Sequence, residues 1–173
     1  MKRVLLDTNV YEHVLRHFSE AESQSLFRQS LLVFYGNAIV RRELREISAA
    51  LKIESDRRVR SLRIVLLNLY DALNGEHVYS ITSEMELLAE KYFVAYRMAG
   101  GIKSKSEILA DFIIVACATS KNLDVVVSED AKTMLSKEAL SAYQLVNNLD
   151  AKRTPNFISF EEFKKVLRGV DLD

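Results

Sequence analysis

The stretch Val4-Leu5-Leu6-Asp7-Thr8-Asn9 decides the fold, because a short apolar run stops abruptly at an acid. Consecutive apolar residues of this kind are typical of a strand that is buried on both faces. The pattern returns at Val125-Val126-Val127-Ser128, with Asp130 just beyond it. The carboxyl ends of parallel strands meet at one edge of a sheet, where ligands bind. We therefore expect Asp7 and Asp130 to lie at the same sheet edge, although either one is also an ordinary helix N-cap by its position.

Further apolar or β-branched runs predict the remaining strands, with longer helical segments between them. The predicted strands cover residues 4–6, 31–34, 78–81, 125–127 and 144–146. Strands separated by helices favour right-handed crossovers and a parallel sheet that is covered on both faces. The sequence therefore predicts a three-layer α/β/α fold around a mostly parallel sheet of about five strands.

Helix boundaries are marked by capping residues and by glycine. Three serine–glutamate pairs have the spacing of a capping box: Ser83 with Glu86, Ser104 with Glu107, and Ser159 with Glu162. Asn74-Gly75 and Gly100-Gly101 predict helix ends. We expect one domain over residues 1–173, with a helical hairpin inserted around 53–99.

An apolar stripe runs through the first half of that predicted hairpin. Its members are Val59, Leu62, Leu66, Leu69 and Leu73, at spacings of three and four. Such a stripe packs either within the hairpin or across a homodimer interface, and the sequence leaves both options open.

Composition limits the class of protein. At 173 residues and 49% hydrophobic content, the chain is long enough for one stable core. Cys117 is the single cysteine, which excludes an internal disulfide and a cysteine-based zinc site. The apolar run that ends at Asp7 is too short for a signal peptide or a membrane span, so we expect a cytoplasmic protein with no membrane association.

Charge is balanced over the whole chain, with 24 basic and 24 acidic residues. Any nucleic acid must therefore be held by local patches, of which Arg41, Arg42 and Arg45 form one. Arg57, Arg58, Arg60 and Arg63 form the second patch, and Lys103 with Lys105 are a weaker candidate for contacting a nucleic-acid backbone. Taken alone, each arginine patch is better explained as a solvated helix face.

Two helical acids interrupt apolar surroundings. Asp111 lies in the otherwise apolar segment from Ile108 to Ala118, and Glu43 lies at the edge of an apolar helix stripe. The plain alternatives are an acid favoured by the helix dipole at Asp111 and a surface ion pair at Glu43.

Acids gathered at one place need neutralisation. Two carboxylates about 5 Å apart repel by roughly 3 kcal/mol at an effective dielectric near 20. Mg²⁺ or Mn²⁺ prefers oxygen ligands and activates water for attack on phosphate, so a carboxylate cluster predicts such an ion.

These acids and their contexts resemble a PIN domain. The matching pieces, which span nearly the whole chain, are Leu5-Leu6-Asp7-Thr8-Asn9-Val10, Arg41-Arg42-Glu43-Leu44, Ala110-Asp111-Phe112-Ile113-Ile114-Val115-Ala116, Val127-Ser128-Glu129-Asp130 and the ending Phe157-Ile158-Ser159-Phe160-Glu161-Glu162-Phe163.

The resemblance implies a Mg²⁺- or Mn²⁺-dependent endoribonuclease like the VapC-type toxins of toxin–antitoxin pairs. It implies that Asp7, Glu43 and Asp111 hold the metal, that Thr8 orients the site and that Asp130 completes it. Glu129 is the alternative fourth acid. The implied partners are substrate RNA, an antitoxin protein and a second copy of the chain.

Other classes of protein fit the sequence less well. A haloacid dehalogenase phosphatase needs a second aspartate where Asn9 stands, and a dinucleotide-binding domain needs an early glycine-rich turn, whereas the first glycine is Gly36. His13 and His17 have a zinc-binding spacing, but Val14 occupies the position of the glutamate that a zincin requires. A standalone RNA-processing nuclease and a non-catalytic PIN-like module that binds RNA or protein remain the alternatives.

Overall fold

The computed structural model describes residues 1–55 and 58–169. In chain order its elements are β1 (Lys2–Leu6), α1 (Thr8–His17), α2 (Glu20–Gln29), β2 (Leu32–Asn37), α3 (Ala38–Glu46), β3 (Lys52–Ser55), β4 (Arg58–Ser61), α4 (Leu62–Asn74), β5 (Val78–Tyr79), α5 (Ser83–Met98), α6 (Lys105–Ser120), β6 (Val125–Val127), α7 (Lys137–Leu149), β7 (Asn156–Ile158) and α8 (Phe160–Leu167).

The central sheet has five parallel strands in the order β5-β2-β1-β6-β7. β1 lies in the middle, where Leu6 pairs with Val127 of β6 and Leu5 pairs with Tyr35 of β2. Its last three residues are almost completely buried, as are all three residues of β6, because helices cover both faces. The predicted α/β/α PIN-like fold with a mostly parallel sheet is confirmed.

The helices form two groups. α5 packs against α6 and α7, whereas α1, α3 and α4 pack against one another, and α4 also contacts β2. None of the helices within the described ranges is both long and apolar enough to cross a membrane.

Most predicted boundaries agree with the structure. Complete capping boxes start α6 at Ser104 and α8 at Ser159. α5 also begins at Ser83, but its N-cap is Thr82, whose hydroxyl accepts from the backbone N–H of Met85 at 3.3 Å. α4 ends at Asn74, and Gly75 follows with a positive φ of 53°.

Two secondary-structure predictions were wrong. Residues 144–146 are not a strand but belong to α7, where Tyr143 and Val146 are buried on one helix face. The segment predicted as a helical hairpin around 53–99 begins instead with an antiparallel ribbon of β3 and β4, followed by α4, β5 and α5. Ile53 faces Arg60 across this ribbon.

The apolar stripe of α4 packs inside the domain. Leu66 is fully buried and Leu69 nearly so, while Val59 precedes the helix and is largely exposed. Packing within one chain therefore explains the stripe.

Candidate active site

Asp7 lies where β1 ends and α1 begins, at the carboxyl edge of the sheet. Its carboxylate is 5% exposed and accepts hydrogen bonds from the Thr8 backbone N–H at 2.7 Å, the Asn9 side-chain amide at 2.8 Å and the Ser128 hydroxyl at 2.7 Å. Burial raises the pKa of Asp7 above its ordinary value, and these hydrogen bonds offset the rise only in part. Asp7 is thus a fixed, buried carboxyl group.

Glu43 reaches the same edge from α3. Asn37 caps that helix by accepting from the Val40 backbone N–H at 3.0 Å, and Glu43 lies one turn further on. The Thr8 hydroxyl donates to Glu43 Oε2. Burial raises the pKa of Glu43 despite this hydrogen bond, and the charge of Asp7 adds to the rise. The bond to Thr8 therefore joins the start of α1 to the middle of α3.

Asp111 stands in the second turn of α6, where it is partly buried and flanked by partly buried Ala110 and fully buried Phe112. Burial raises the pKa of Asp111 from 3.8 to about 7, although the Thr133 hydroxyl lowers it. The charges of Asp7, Asp130 and Glu43 contribute to the rise in that order. Since these interactions require proximity, the structure brings all four predicted acids into one electrostatic cluster.

Asp130 and Glu129 follow β6, and their side chains bond to different parts of the chain. Asp130 accepts from the backbone N–H groups of Lys132 and Thr133, at 2.9 and 3.0 Å, and from the Thr133 hydroxyl. Its charge also raises the pKa of Asp7 and Asp111. Glu129 is exposed and accepts from the Phe160 backbone N–H at the start of α8. Of the two candidates for the fourth acid, Asp130 therefore belongs to the cluster.

Three residues of the cluster had no predicted role. Ser128 donates to Asp7 and accepts from the Asp130 backbone N–H at 3.1 Å, so it bridges two acids. Asn9 donates to Asp7, and Thr133 contacts both Asp130 and Asp111. Ser128 and Asn9 each stand two residues from an acid in the quoted motifs, which is the only sign of them in the sequence.

The predicted basic residues differ in how they are paired. Arg41 binds Asp71 through two hydrogen bonds of 3.0 Å, Lys103 pairs with Glu107 at 3.1 Å, and Lys105 pairs with Glu90 at 2.5 Å. Arg42 and Arg45 are exposed, and within the described ranges neither forms an ion pair. Arg42 lies close enough to Glu43 to influence its pKa.

The donor set fits a hard divalent cation by its chemistry. Carboxylates are the ligands that Mg²⁺ and Mn²⁺ prefer. Burial is the main cause of the raised pKa values of Asp7, Glu43 and Asp111, and the charges of neighbouring acids add to it. No three acidic, histidine or cysteine side chains in the described part of the chain are grouped so as to hold an ion directly. The four acids thus share one sheet edge without forming a closed ligand ring.

Comparisons with known proteins give structural matches only. No protein-family model matches the sequence, and no curated protein matches it. VapBC2 from Rickettsia felis, bound to a DNA fragment from its promoter, matches with a TM-score of 0.56 and 11% identity, covering 91% of this chain and 98% of that one.

Two further solved structures give the same result. VapBC from Salmonella typhimurium bound to DNA matches with a TM-score of 0.55 and 13% identity, over 92% of this chain and 99% of that one. FitAB bound to the IR36 DNA fragment has a TM-score of 0.56 and 18% identity, over 91% and 94% of the two chains. At identities this low, the structural likeness establishes the fold alone. The likeness to VapC-type proteins expected from the sequence is therefore confirmed for the fold.

Proposed function

We propose that this chain is a metal-dependent endoribonuclease that hydrolyses RNA phosphodiester bonds at the acidic cluster. The observation that carries the proposal is the convergence of Asp7, Glu43, Asp111 and Asp130 from four separate parts of the chain at the carboxyl edge of one sheet. Natural domains seldom keep partly buried acids without a counterion unless a function requires them.

The four acids would hold Mg²⁺ or Mn²⁺, which when bound supplies an activated water and stabilises charge on the phosphate. The chain's own residues prepare the site. Ser128 and Asn9 fix the Asp7 carboxylate, and Thr8 fixes Glu43. Exposed Arg42 and Arg45 would attract the RNA backbone.

The test is cleavage of a panel of structured and single-stranded RNAs with Mg²⁺, Mn²⁺ or EDTA. Wild-type protein should cleave with metal and not with EDTA, while folded Asp7→Asn and Asp111→Asn variants should be inactive. Asp124→Asn is the matched control, because Asp124 lies at the opposite end of β6. Absence of metal-dependent cleavage, together with RNA binding, would favour the non-catalytic PIN-like module instead.

We infer that the biological setting is a cytoplasmic toxin–antitoxin pair. Support comes from the solved VapBC and FitAB structures, since each is named as an assembly of two components. Expression of the chain alone should arrest growth, and the Asp7→Asn variant should not. Co-expression of a small gene lying immediately upstream should relieve the arrest. Unimpaired growth with active enzyme would favour a standalone RNA-processing nuclease.

The homodimer is proposed on a different surface from the α4 stripe, which is occupied within the domain. Exposed apolar residues lie on α5 and α7, namely Leu87, Val94, Met98, Leu145 and Leu149. Around them, Lys91 pairs with Asp150 and Lys105 pairs with Glu90. A two-fold interface brings a patch against itself, and balanced charges allow this without net repulsion. Light scattering should give a dimer mass for wild type and a monomer mass for Val94→Glu.

A further inference from the structure

Three buried polar side chains, those of Tyr11, Tyr70 and Asn74, form a hydrogen-bond network with the backbone of buried Asn37. Tyr11, Asn37 and Tyr70 are 0% exposed, and Asn74 is 2% exposed. The Tyr70 hydroxyl donates to the backbone oxygen of Asn37 at 2.9 Å. The Asn74 amide donates to the Tyr11 hydroxyl at 3.0 Å and to the Tyr70 backbone oxygen at 2.9 Å. Tyr70 and Asn74, one turn apart on α4, therefore contact two other elements; we call this pair the α4 clamp.

The α4 clamp reaches both helices that the Thr8–Glu43 hydrogen bond connects. Tyr70 holds Asn37, the N-cap of α3, which carries Glu43. Asn74 holds Tyr11 of α1, the helix that begins at Thr8. The relative position of α1 and α3, and with it the meeting of Thr8 and Glu43, is therefore tied to α4 at two points.

Gly36 packs directly against the Tyr70 side chain. A Cβ atom at Gly36 would lie 2.2 Å from the Tyr70 hydroxyl, so no larger residue fits there without moving Tyr70. In the described part of the chain, the buried Asn74 Oδ1 atom has no hydrogen-bond partner. A half-satisfied amide is an expensive choice for stability, since apolar residues of similar shape avoid that cost. The network is better explained by the relative position that it imposes on α1 and α3.

We propose that Tyr70 and Asn74 are positioning residues for the acidic cluster. They hold α1 and α3 at the separation where the Thr8 hydroxyl orients the Glu43 carboxylate. Neither residue contacts an acid of the cluster through a hydrogen bond, so each acts through α1 or α3. The effect on metal binding rests on the proposed function; the effect on the Thr8–Glu43 contact does not.

The first arm of the test measures Mn²⁺ affinity by calorimetry in Tyr70→Phe and Asn74→Leu. Each should bind Mn²⁺ about 10-fold more weakly than wild type, the usual scale for residues that orient metal ligands. Tyr92→Phe is the matched control. It also loses a buried hydroxyl, but its partners are Asn147, at 2.6 Å, and Thr119, outside the cluster. Tyr92→Phe should keep the wild-type affinity for Mn²⁺, even if its thermal unfolding midpoint falls as far as those of the two clamp variants.

The second arm needs no metal. The ¹³C resonance of the Glu43 carboxyl group should change its chemical shift in Tyr70→Phe and Asn74→Leu, and stay unchanged in Tyr92→Phe. An unchanged Glu43 resonance in both clamp variants overturns the inference. Failure of wild type to bind Mn²⁺, with a changed Glu43 resonance in the variants, overturns the proposed function but leaves the clamp standing.

Discussion

Aspartates lie at both ends of the central sheet, and their surroundings shift their pKa values in opposite directions. At the amino end of β6, Asp124 accepts from the Arg3 backbone N–H at 2.7 Å and pairs with Arg153 at 2.7 Å and Arg3 at 3.5 Å. Burial alone would raise the pKa of Asp124, but these partners lower it below the ordinary value. At the carboxyl edge, Asp111 has no cationic partner among the described residues, and its pKa rises to about 7.

The difference distinguishes an acid whose charge is compensated within the chain from one whose charge is not. Asp124 joins the first residues of β1 to the loop before β7, and its charge is compensated within the chain. Asp111 interacts with three other acids, and no cation among the described residues lowers its pKa. A carboxylate cluster of this kind costs stability and is useful only when something external, such as a divalent cation, completes it.

The largest expected effect is on catalysis. Replacing Asp111 with Asn should lower the metal-dependent cleavage rate at least about 100-fold, because the proposed metal site would lose one of its ligands. Asp124→Asn should retain nearly full activity under the same conditions. Steady-state rates on one cleaved RNA would measure both. Equal losses in the two variants would mean that the two ends of the sheet do not differ in function.

The free energy of unfolding should fall more in Asp124→Asn than in Asp111→Asn. Asp124→Asn removes a charged acceptor from Arg3 and Arg153 and should lower the free energy of unfolding by about 2 kcal/mol. Urea denaturation at pH 7.5 would measure it. An Asp124→Asn variant as stable as wild type would show that the ion pairs of Asp124 contribute nothing.

The metal-free protein should lose stability as pH rises from about 4 to about 7. Asp111 binds its proton more tightly in the folded state than at the ordinary pKa of 3.8, so the folded state holds more protons across this window. Raising the pH through it therefore lowers the free energy of unfolding.

In EDTA at pH 8, Asp111→Asn should accordingly be more stable than wild type. Solvent screening limits the gain to about 1–2 kcal/mol. Denaturation curves at pH 5 and pH 8 give the comparison, and the gain should be clearly smaller at the lower pH, where the folded state still keeps the Asp111 proton. A variant that is less stable than wild type at both values would contradict this account of Asp111.

The smallest effect concerns RNA binding. Replacing both Arg42 and Arg45 with Ala should weaken binding about 3–10-fold and reduce the salt slope by about 2, one for each lost phosphate contact. Lys105→Ala serves as the comparison, since Lys105 is already paired with Glu90. Filter binding at several salt concentrations would measure both, and a larger effect from Lys105 would move the RNA path to the start of α6.

Much of the fold followed from local pattern. The buried strands β1 and β6 were predictable because each is a short apolar run that ends near an acid, and Asp111 stood out as a charge in an apolar helix. Residues 144–146 have strand-like composition, but packing of Tyr143 and Val146 against neighbouring helices makes them helical. The β3–β4 ribbon has little apolar alternation, so its sequence did not predict strands.

Contacts between distant residues were beyond the sequence. Ser128 bonds to Asp7 across 121 positions, and the Thr8–Glu43 bond spans 35. The choice between Glu129 and Asp130 likewise depended on the start of α8, where Phe160 engages Glu129. The four acids and Thr8 could be named in advance, whereas the other residues that bond to the acids, Ser128, Asn9 and Thr133, could not.

The most direct test of the central claim is calorimetric titration of Mn²⁺ into wild-type, Asp111→Asn and Asp124→Asn protein at pH 7, in buffers of different ionisation enthalpy. The account predicts that wild type and Asp124→Asn bind Mn²⁺ and release a fraction of a proton, because metal displaces the proton that Asp111 holds near its pKa of about 7. Asp111→Asn should bind far more weakly and release no proton. Absence of binding to wild type, or equal binding by all three proteins, would contradict the claim that the carboxyl edge is a metal site.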